Sequence, residues 1–180
     1  MITESKVRLA TIWLSGCSGC HMSFLDLDER LVDLAKKVTL VHSPIADIKE
    51  FPENVDVTLI EGAVANEDQK AMLVKARSRT KLLVSLGDCA VTGNVTALRN
   101  AWEHSDQAVL KRAYADQSNK NPQIPNLVPK LLVHARPLHE VVTVDHYIPG
   151  CPPNADLINY VLTELLAGRQ PVMEGRSKYG

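Results

Sequence analysis

Short apolar runs alternate along this chain with longer segments whose apolar residues recur at helical spacing. Val7–Leu14 is rich in β-forming residues, stops at Ser15-Gly16, and reads as a buried parallel strand. Phe24, Leu27, Leu31, Leu34 and Ala35 then follow the helical period and predict a helix from about Met22 to Lys37. Val38–His42 predicts a second strand, stopped by Ser43-Pro44, and Val55–Ile60 a third, followed by Glu61-Gly62. Ala65–Ser78 has helical character, with acids near its start and Lys75, Arg77 and Arg79 near its end, as the helix dipole favours. Lys81–Leu86 predicts a fourth strand ending at Gly87, and a short helix is expected over Val91–Trp102.

The pattern lapses between Glu103 and Lys130. That stretch is polar, and Asn121-Pro122, Ile124-Pro125 and Val128-Pro129 interrupt any regular period, so it reads as an irregular polar insertion and a candidate docking surface. Val141–Ile148 predicts a further extended segment, and Pro149-Gly150-Cys151-Pro152-Pro153 a rigid loop. Asn154 is placed to cap a last helix whose apolar stripe is Leu157, Ile158, Val161, Leu162, Leu165 and Leu166, with Gly168 as its stop. Strands alternating with helices predict an α/β fold with a mostly parallel sheet, in one domain of 180 residues. In such sheets ligands sit beyond the carboxyl ends of the strands. The loops Gly16–Cys20, Glu61–Val64 and Gly87–Cys89 all follow predicted strand ends, and Cys151 follows the last extended run.

Composition narrows the function classes. Hydrophobic residues make up 45% and charged residues 23%, as in an ordinary globular protein. The net charge of −1 and the scattered Lys and Arg residues argue against a nucleic-acid partner. No apolar segment is long enough to cross a bilayer, and Met1–Ser5 shows no basic leader or twin-arginine pair, so a cytoplasmic location without membrane attachment is expected. In a reducing compartment the four cysteines are not expected to form structural disulfides.

Those cysteines carry the chemistry. Cys17-Ser18-Gly19-Cys20 is a C-x-x-C pair, while Cys89 and Cys151 lie far away in sequence. A [4Fe–4S] cluster takes one soft thiolate per iron, and the two-residue spacing lets one loop reach two neighbouring corners. Gly16, Gly19, Gly87 and Gly150, beside the cysteines, allow the backbone to approach a large inorganic group. Two other readings use the same residues. A structural zinc site, making the chain a metal-stabilised scaffold, would usually show two close pairs. A thioredoxin-like dithiol would use Cys17 and Cys20 and leave the other two cysteines without a role.

At these motifs the sequence resembles the small subunits of nickel–iron hydrogenases. Trp13-Leu14-Ser15-Gly16-Cys17-Ser18-Gly19-Cys20 is similar to that family's N-terminal motif and Glu61-Gly62-Ala63-Val64 to its strand-end Glu-Gly loop. Gly87-Asp88-Cys89-Ala90 with Gly93 resembles its third-ligand motif, and Pro149-Gly150-Cys151-Pro152-Pro153 its fourth. The resemblance implies a flavodoxin-like domain whose Cys17, Cys20, Cys89 and Cys151 hold one [4Fe–4S] cluster, with Gly16, Gly19, Glu61, Gly62, Gly87 and Gly150 around it. It implies no catalytic residue in this chain, because the nickel–iron centre lies in a large-subunit partner. The absence of a fifth cysteine matches the compact small subunits of bidirectional, NAD-linked hydrogenases, in which electrons pass to diaphorase subunits bearing flavin and further clusters. FMN and NAD are therefore expected in partner subunits and not in this chain, which has neither G-x-G-x-x-G nor a P-loop lysine. Gly93-Asn94 stands where the family commonly has two glycines. The related cluster-bearing subunit of NADH–quinone oxidoreductase is the rival resemblance, but its first loop carries adjacent cysteines.

A few polar residues flank the motifs. His21 follows the first pair, and His146 and Tyr147 precede Cys151; packing is the plainer role for each, tuning of the cluster the sharper one. Asp88 is either an electron-repelling charge or a solvated one, and Glu61 either a loop carboxylate bonded to backbone or a group that contacts the large subunit or relays protons.

Overall fold

The computed structural model describes residues 6–118 and 120–179. Met1–Ser5, whose sequence bears on the leader reading, lie outside them. Five strands form one parallel sheet: β1 (Val7–Trp13), β2 (Val38–His42), β3 (Val55–Glu61), β5 (Thr80–Leu86) and β7 (His146–Ile148), in the order β2-β1-β3-β5-β7. Counting only these strands the order is 2-1-3-4-5, the flavodoxin-like winding, which reverses direction beside β1 and opens a crevice at the carboxyl ends there. The expected α/β fold with a mostly parallel sheet is therefore found.

Alternation along each strand supplies two cores. Leu9, Leu59 and Val84 face α1 (Gly19–Leu25) and α6 (Ala155–Leu166), packing on Phe24, Ile158, Val161 and Leu162. Their sequence neighbours Ala10, Ile60 and Leu83 face the other way, onto Leu73 and Ala76 of α3 (Glu67–Arg79) and onto Leu138. Burying a side chain such as Ile158, which is fully covered, is worth about 1.5–3 kcal/mol. Both long helices start on asparagine caps: Asn66 Oδ1 accepts from Gln69 N at 2.8 Å and Asn154 Oδ1 from Leu157 N at 2.8 Å.

Several boundaries differ from the sequence reading. The helix expected over Met22–Lys37 is two helices, α1 and α2 (Arg30–Lys37). Asp28 between them is left-handed at φ 49°, a conformation aspartate tolerates, and the break keeps Leu27 in the core. The helix expected over Val91–Trp102 divides at Gly93 (φ 89°) into α4 (Asp88–Thr92) and a 3₁₀ helix over Asn94–Ala101. The polar segment after Glu103 opens with α5 (Ser105–Lys111) and a π-helical turn at Arg112–Asp116 before becoming irregular. Of Val141–Ile148 only the last three residues are strand; Val141, Val142 and Val144 pack against the second core from a loop. Two strands were not expected: β4 (Val64–Asn66) and β6 (Leu131–Arg136), which pair antiparallel in a small second sheet.

Asp145 ties that loop to the sheet. Its carboxylate accepts from Leu83 N at 2.7 Å and from Arg77 Nη1 at 2.5 Å. Burial alone would raise this carboxyl, but the Leu83 N–H and the Arg77 guanidinium outweigh it and hold the group below the usual range. A depressed carboxyl stabilises the fold above its unfolded value and loses that contribution as pH falls through its folded value. Asp145→Asn is accordingly expected to lower stability by about 1–3 kcal/mol at neutral pH. Urea melts of the two proteins should begin to converge as pH falls below about 4 and meet only below the depressed folded value; a gap undiminished in strong acid would show that charge is not what Asp145 contributes.

Candidate metal centre

The crevice at the carboxyl edge is built from four loops. After β1 the chain is stitched to the loop after β3: Leu14 N donates to Glu61 O at 2.9 Å, and Ser15 and Ala63 exchange backbone bonds of 2.9 and 2.7 Å. The close approach requires glycine at position 62. Gly62 has φ 85°, and a Cβ there would stand 2.7 Å from Ser15 O. Gly16 lies against Gly62, where a Cβ would meet the Gly62 Cα at 3.3 Å. Gln69 of α3 braces the same loop, with its amide bonded to Ser15 Oγ and accepting from Ala65 N.

Cys17 is exposed on this first loop, and Cys20, half-buried, lies in α1. Ser18 between them is left-handed at φ 66°, and a Cβ on Gly19 would come within 3.2 Å of Cys17 Sγ. Glu61, only 3% exposed, accepts from His21 N at 2.6 Å and from the Ser18 N–H, so a buried carboxylate satisfies amides at the start of α1. Burial raises its carboxyl above the ordinary value against the pull of those two donors.

Gly87 and Cys89 follow β5. Gly87 has φ 80° and ψ 162°, a region essentially reserved for glycine, and a Cβ there would lie 2.1 Å from Cys20 Sγ. The third loop thus runs directly over the second cysteine. Cys89 is buried in α4 and is hydrogen-bonded by Thr96. Asp88, buried beside it, clamps the fourth loop: its carboxylate accepts from Gly150 N at 2.6 Å while its own N–H donates to Gly150 O at 2.9 Å. Gly150 (φ 138°) leads into exposed Cys151, and Asn94 Nδ2 donates to Cys151 Sγ at 3.4 Å.

All four cysteines are free thiols. The Cys20 thiol is pushed up to about 12, first by burial, then by the Glu61 charge, then by Cys89, Cys17 and Cys151. Burial likewise raises the Cys89 thiol, against a hydrogen bond from Thr96, and Cys151 and Cys17 add to it. Cys20 thus feels the other three sulfurs, and Cys89 feels those of Cys151 and Cys17. Four thiolates so placed repel one another, and a cationic inorganic centre is what relieves that repulsion, since a coordinating thiol is deprotonated outright. Among the described residues, no three His, Cys, Asp or Glu side chains stand close enough to hold a single metal ion. The donor set of four soft sulfurs from three chain segments at one sheet edge, with glycine wherever the backbone crowds them, fits an iron–sulfur cluster.

The other flanking residues have plainer places. His21 is buried edge-to-face between Trp13 (5.0 Å) and Phe24 (5.9 Å), and burial lowers its imidazole. His146 and Tyr147 belong to β7, and the Tyr147 ring meets His139 at 6.2 Å. Asn94 and Thr96 are the site residues that motif reading passed over; the signal for Asn94 was its place after Gly93, where a second left-handed residue (φ 33°) is needed.

Comparison with known proteins bears on this geometry. The model of the family described as NADH ubiquinone oxidoreductase, 20 Kd subunit, matches residues 17–165. The NAD-reducing hydrogenase HoxS subunit delta of Cupriavidus necator is 42% identical over 172 residues, covering 92% of this chain and 81% of that subunit. The chain belongs to this family, as one of its hydrogenase small subunits. A crystal structure of an NAD⁺-reducing [NiFe]-hydrogenase in the H2-reduced state contains a chain that superposes with a TM-score of 0.92 at 40% identity, covering 98% of this small subunit and 100% of that chain. One subunit of the F420-non-reducing hydrogenase of Methanothermobacter marburgensis is 38% identical over 172 residues, and there the match spans 92% of this small subunit but 55% of the archaeal one. The resemblance carried by the cysteine motifs is therefore upheld across the whole domain. No helix among the described residues is long and apolar enough to cross a membrane.

Proposed function

We propose that this small subunit carries one [4Fe–4S] cluster on Cys17, Cys20, Cys89 and Cys151. In this reading it relays electrons between the nickel–iron site of a large subunit and the diaphorase module of a cytoplasmic NAD-reducing hydrogenase. The observation that carries the reading is the gathering of every cysteine in the sequence at one sheet edge, on loops and on the first turns of the helices that follow them, where Cys20 feels the charge of the other three. The likeness to the Cupriavidus necator subunit supports NAD as the final acceptor of the complex. Bound there, the cluster supplies one-electron uptake and release at a potential set by its surroundings.

The residues of the chain hold, orient and shield. The thiolates are the ligands; Glu61 fixes the loop bearing the first two, and Asp88 locks the third and fourth loops together. Gly87 brings its loop down onto Cys20. The chain makes and breaks no substrate bond, and FMN and NAD belong to partner subunits. Leu127 (97% exposed), Val128, Ile124 and Trp102 form apolar surface in and beside the 103–130 segment and support its use as a contact with a partner subunit.

Infrared spectroscopy of the complex that co-purifies with the chain under anaerobic conditions tests the assignment. Nickel–iron sites of this family carry CO and cyanide on iron, and their bands are expected. Absence of those bands from a complex that retains its subunits and its iron–sulfur signal would move the assignment to the quinone-linked branch named by the family description.

A further inference from the structure

We propose that Asn94 is a positioning residue that sets the potential of the candidate cluster, by donating its side-chain amide to the sulfur of Cys151. This rests on the cluster reading given above. Gly93 at φ 89° ends α4 and Asn94 follows at φ 33°, so two successive left-handed residues fold the chain back over the fourth loop. The bond from Ala97 N to Gly93 O, 3.0 Å, closes that turn. Asparagine is among the few residues besides glycine that adopt this conformation readily, so position 94 can bear a side chain. The side chain it bears is a neutral amide whose Nδ2 lies 3.4 Å from Cys151 Sγ, the atom that stands in for the ligating thiolate. Two residues on, the Thr96 hydroxyl donates to Ser15 O at 3.1 Å and ties the same turn to the first loop.

The physical effect has a definite sign. Reduction adds one electron to the cluster and deepens the negative charge on its ligand sulfurs, with no bond broken. An N–H donor at a ligand sulfur therefore binds the reduced form more strongly than the oxidised form and raises the potential. Where the family commonly has two glycines no side-chain donor is available at this place, whereas here Gly93-Asn94 supplies one. Asn94→Gly is thus a clean probe: it removes the donor and keeps a residue at ease with φ 33°. Asn94→Asp keeps the shape and replaces the donor with an acceptor.

The test is an anaerobic redox titration of the assembled complex, followed by the electron paramagnetic resonance of the reduced cluster, for the parent and both variants. Asn94→Gly is expected to shift the reduction equilibrium about tenfold toward the oxidised form, roughly 59 mV for a one-electron couple, with iron content unchanged. Asn94→Asp shifts it in the same direction. An unchanged or higher potential in a fully loaded Asn94→Gly complex overturns the proposal. If that variant does not load, an unchanged or higher potential in Asn94→Asp overturns it instead. A parent complex with no cluster signal from this chain removes the cluster reading, and the proposal with it; a parent signal with unmoved variants removes the proposal alone.

Discussion

Replacing Cys89 with serine is expected to strip the cluster from the subunit and to lower hydrogen-driven NAD⁺ reduction by more than about a hundredfold, beyond the 10–100-fold range of losses from residues that only support metal ligands. Serine keeps the volume and sits in α4, where Thr96 offers a hydrogen-bond partner, so the helix and the sheet behind it stay in place. What is lost is a soft, readily ionised sulfur at one of four corners, and a hydroxyl does not replace it on iron. Cys89 is also the most buried of the four, at 9% exposure, so no water takes over the position freely. Iron content, the reduced-cluster resonance and turnover should fall together while the far-ultraviolet circular dichroism stays unchanged. Full iron and full turnover in this variant would show that the ligand set is wrong.

Gly87→Ala is expected to do comparable harm without touching a ligand. The new Cβ would lie 2.1 Å from Cys20 Sγ, a distance at which one of the two must move. Backbone strain at φ 80°, ψ 162° adds about 1–3 kcal/mol, and displacing a packed neighbour adds a similar amount. Cys20 is the neighbour that yields, and the cluster loses a corner although all four cysteines remain. Gly168→Ala is the matching control. Gly168 also has positive φ (69°), but nothing stands within 4 Å of a Cβ there, so only the backbone cost applies and iron content is unaffected. Iron per chain and urea midpoints of the two variants separate overlap at the metal site from strain in general. Equal iron in both would mean that Gly87 is not part of the cradle.

The legible parts of this fold were those in which one local pattern sufficed. The apolar runs of β1, β3 and β5 are buried on both faces of the sheet, so their sequences read as strands with no knowledge of their partners. α6 announces itself through the Asn154 cap and the stripe from Leu157 to Leu165. Because the cysteine motifs follow such strands, the placement of the site at one sheet edge was legible too. The turn at 26–29 was hidden because Asp26, Leu27, Asp28 and Glu29 include neither glycine nor proline, and the apolar period continues through it. β4 and β6 owe their existence to a pairing some 70 residues apart in the chain, Val64 with Arg136, which no window of sequence contains. The same limit hid the contacts around the cysteines. Asn94 meets Cys151 across 57 positions and Glu61 meets His21 across 40, so the motifs named the proposed ligands and Glu61 but not the partners that Glu61 and Asn94 bind.

Iron and acid-labile sulfide, measured together with zinc on the anaerobically purified complex and on the Cys89→Ser variant, test the central assignment most directly. The parent is expected to hold about four iron and four sulfide more than the variant, the increment due to the cluster of this subunit. Stoichiometric zinc without the sulfide increment, unchanged in its dependence on the same four cysteines, would contradict an electron-relaying cluster and leave a zinc-stabilised scaffold in its place.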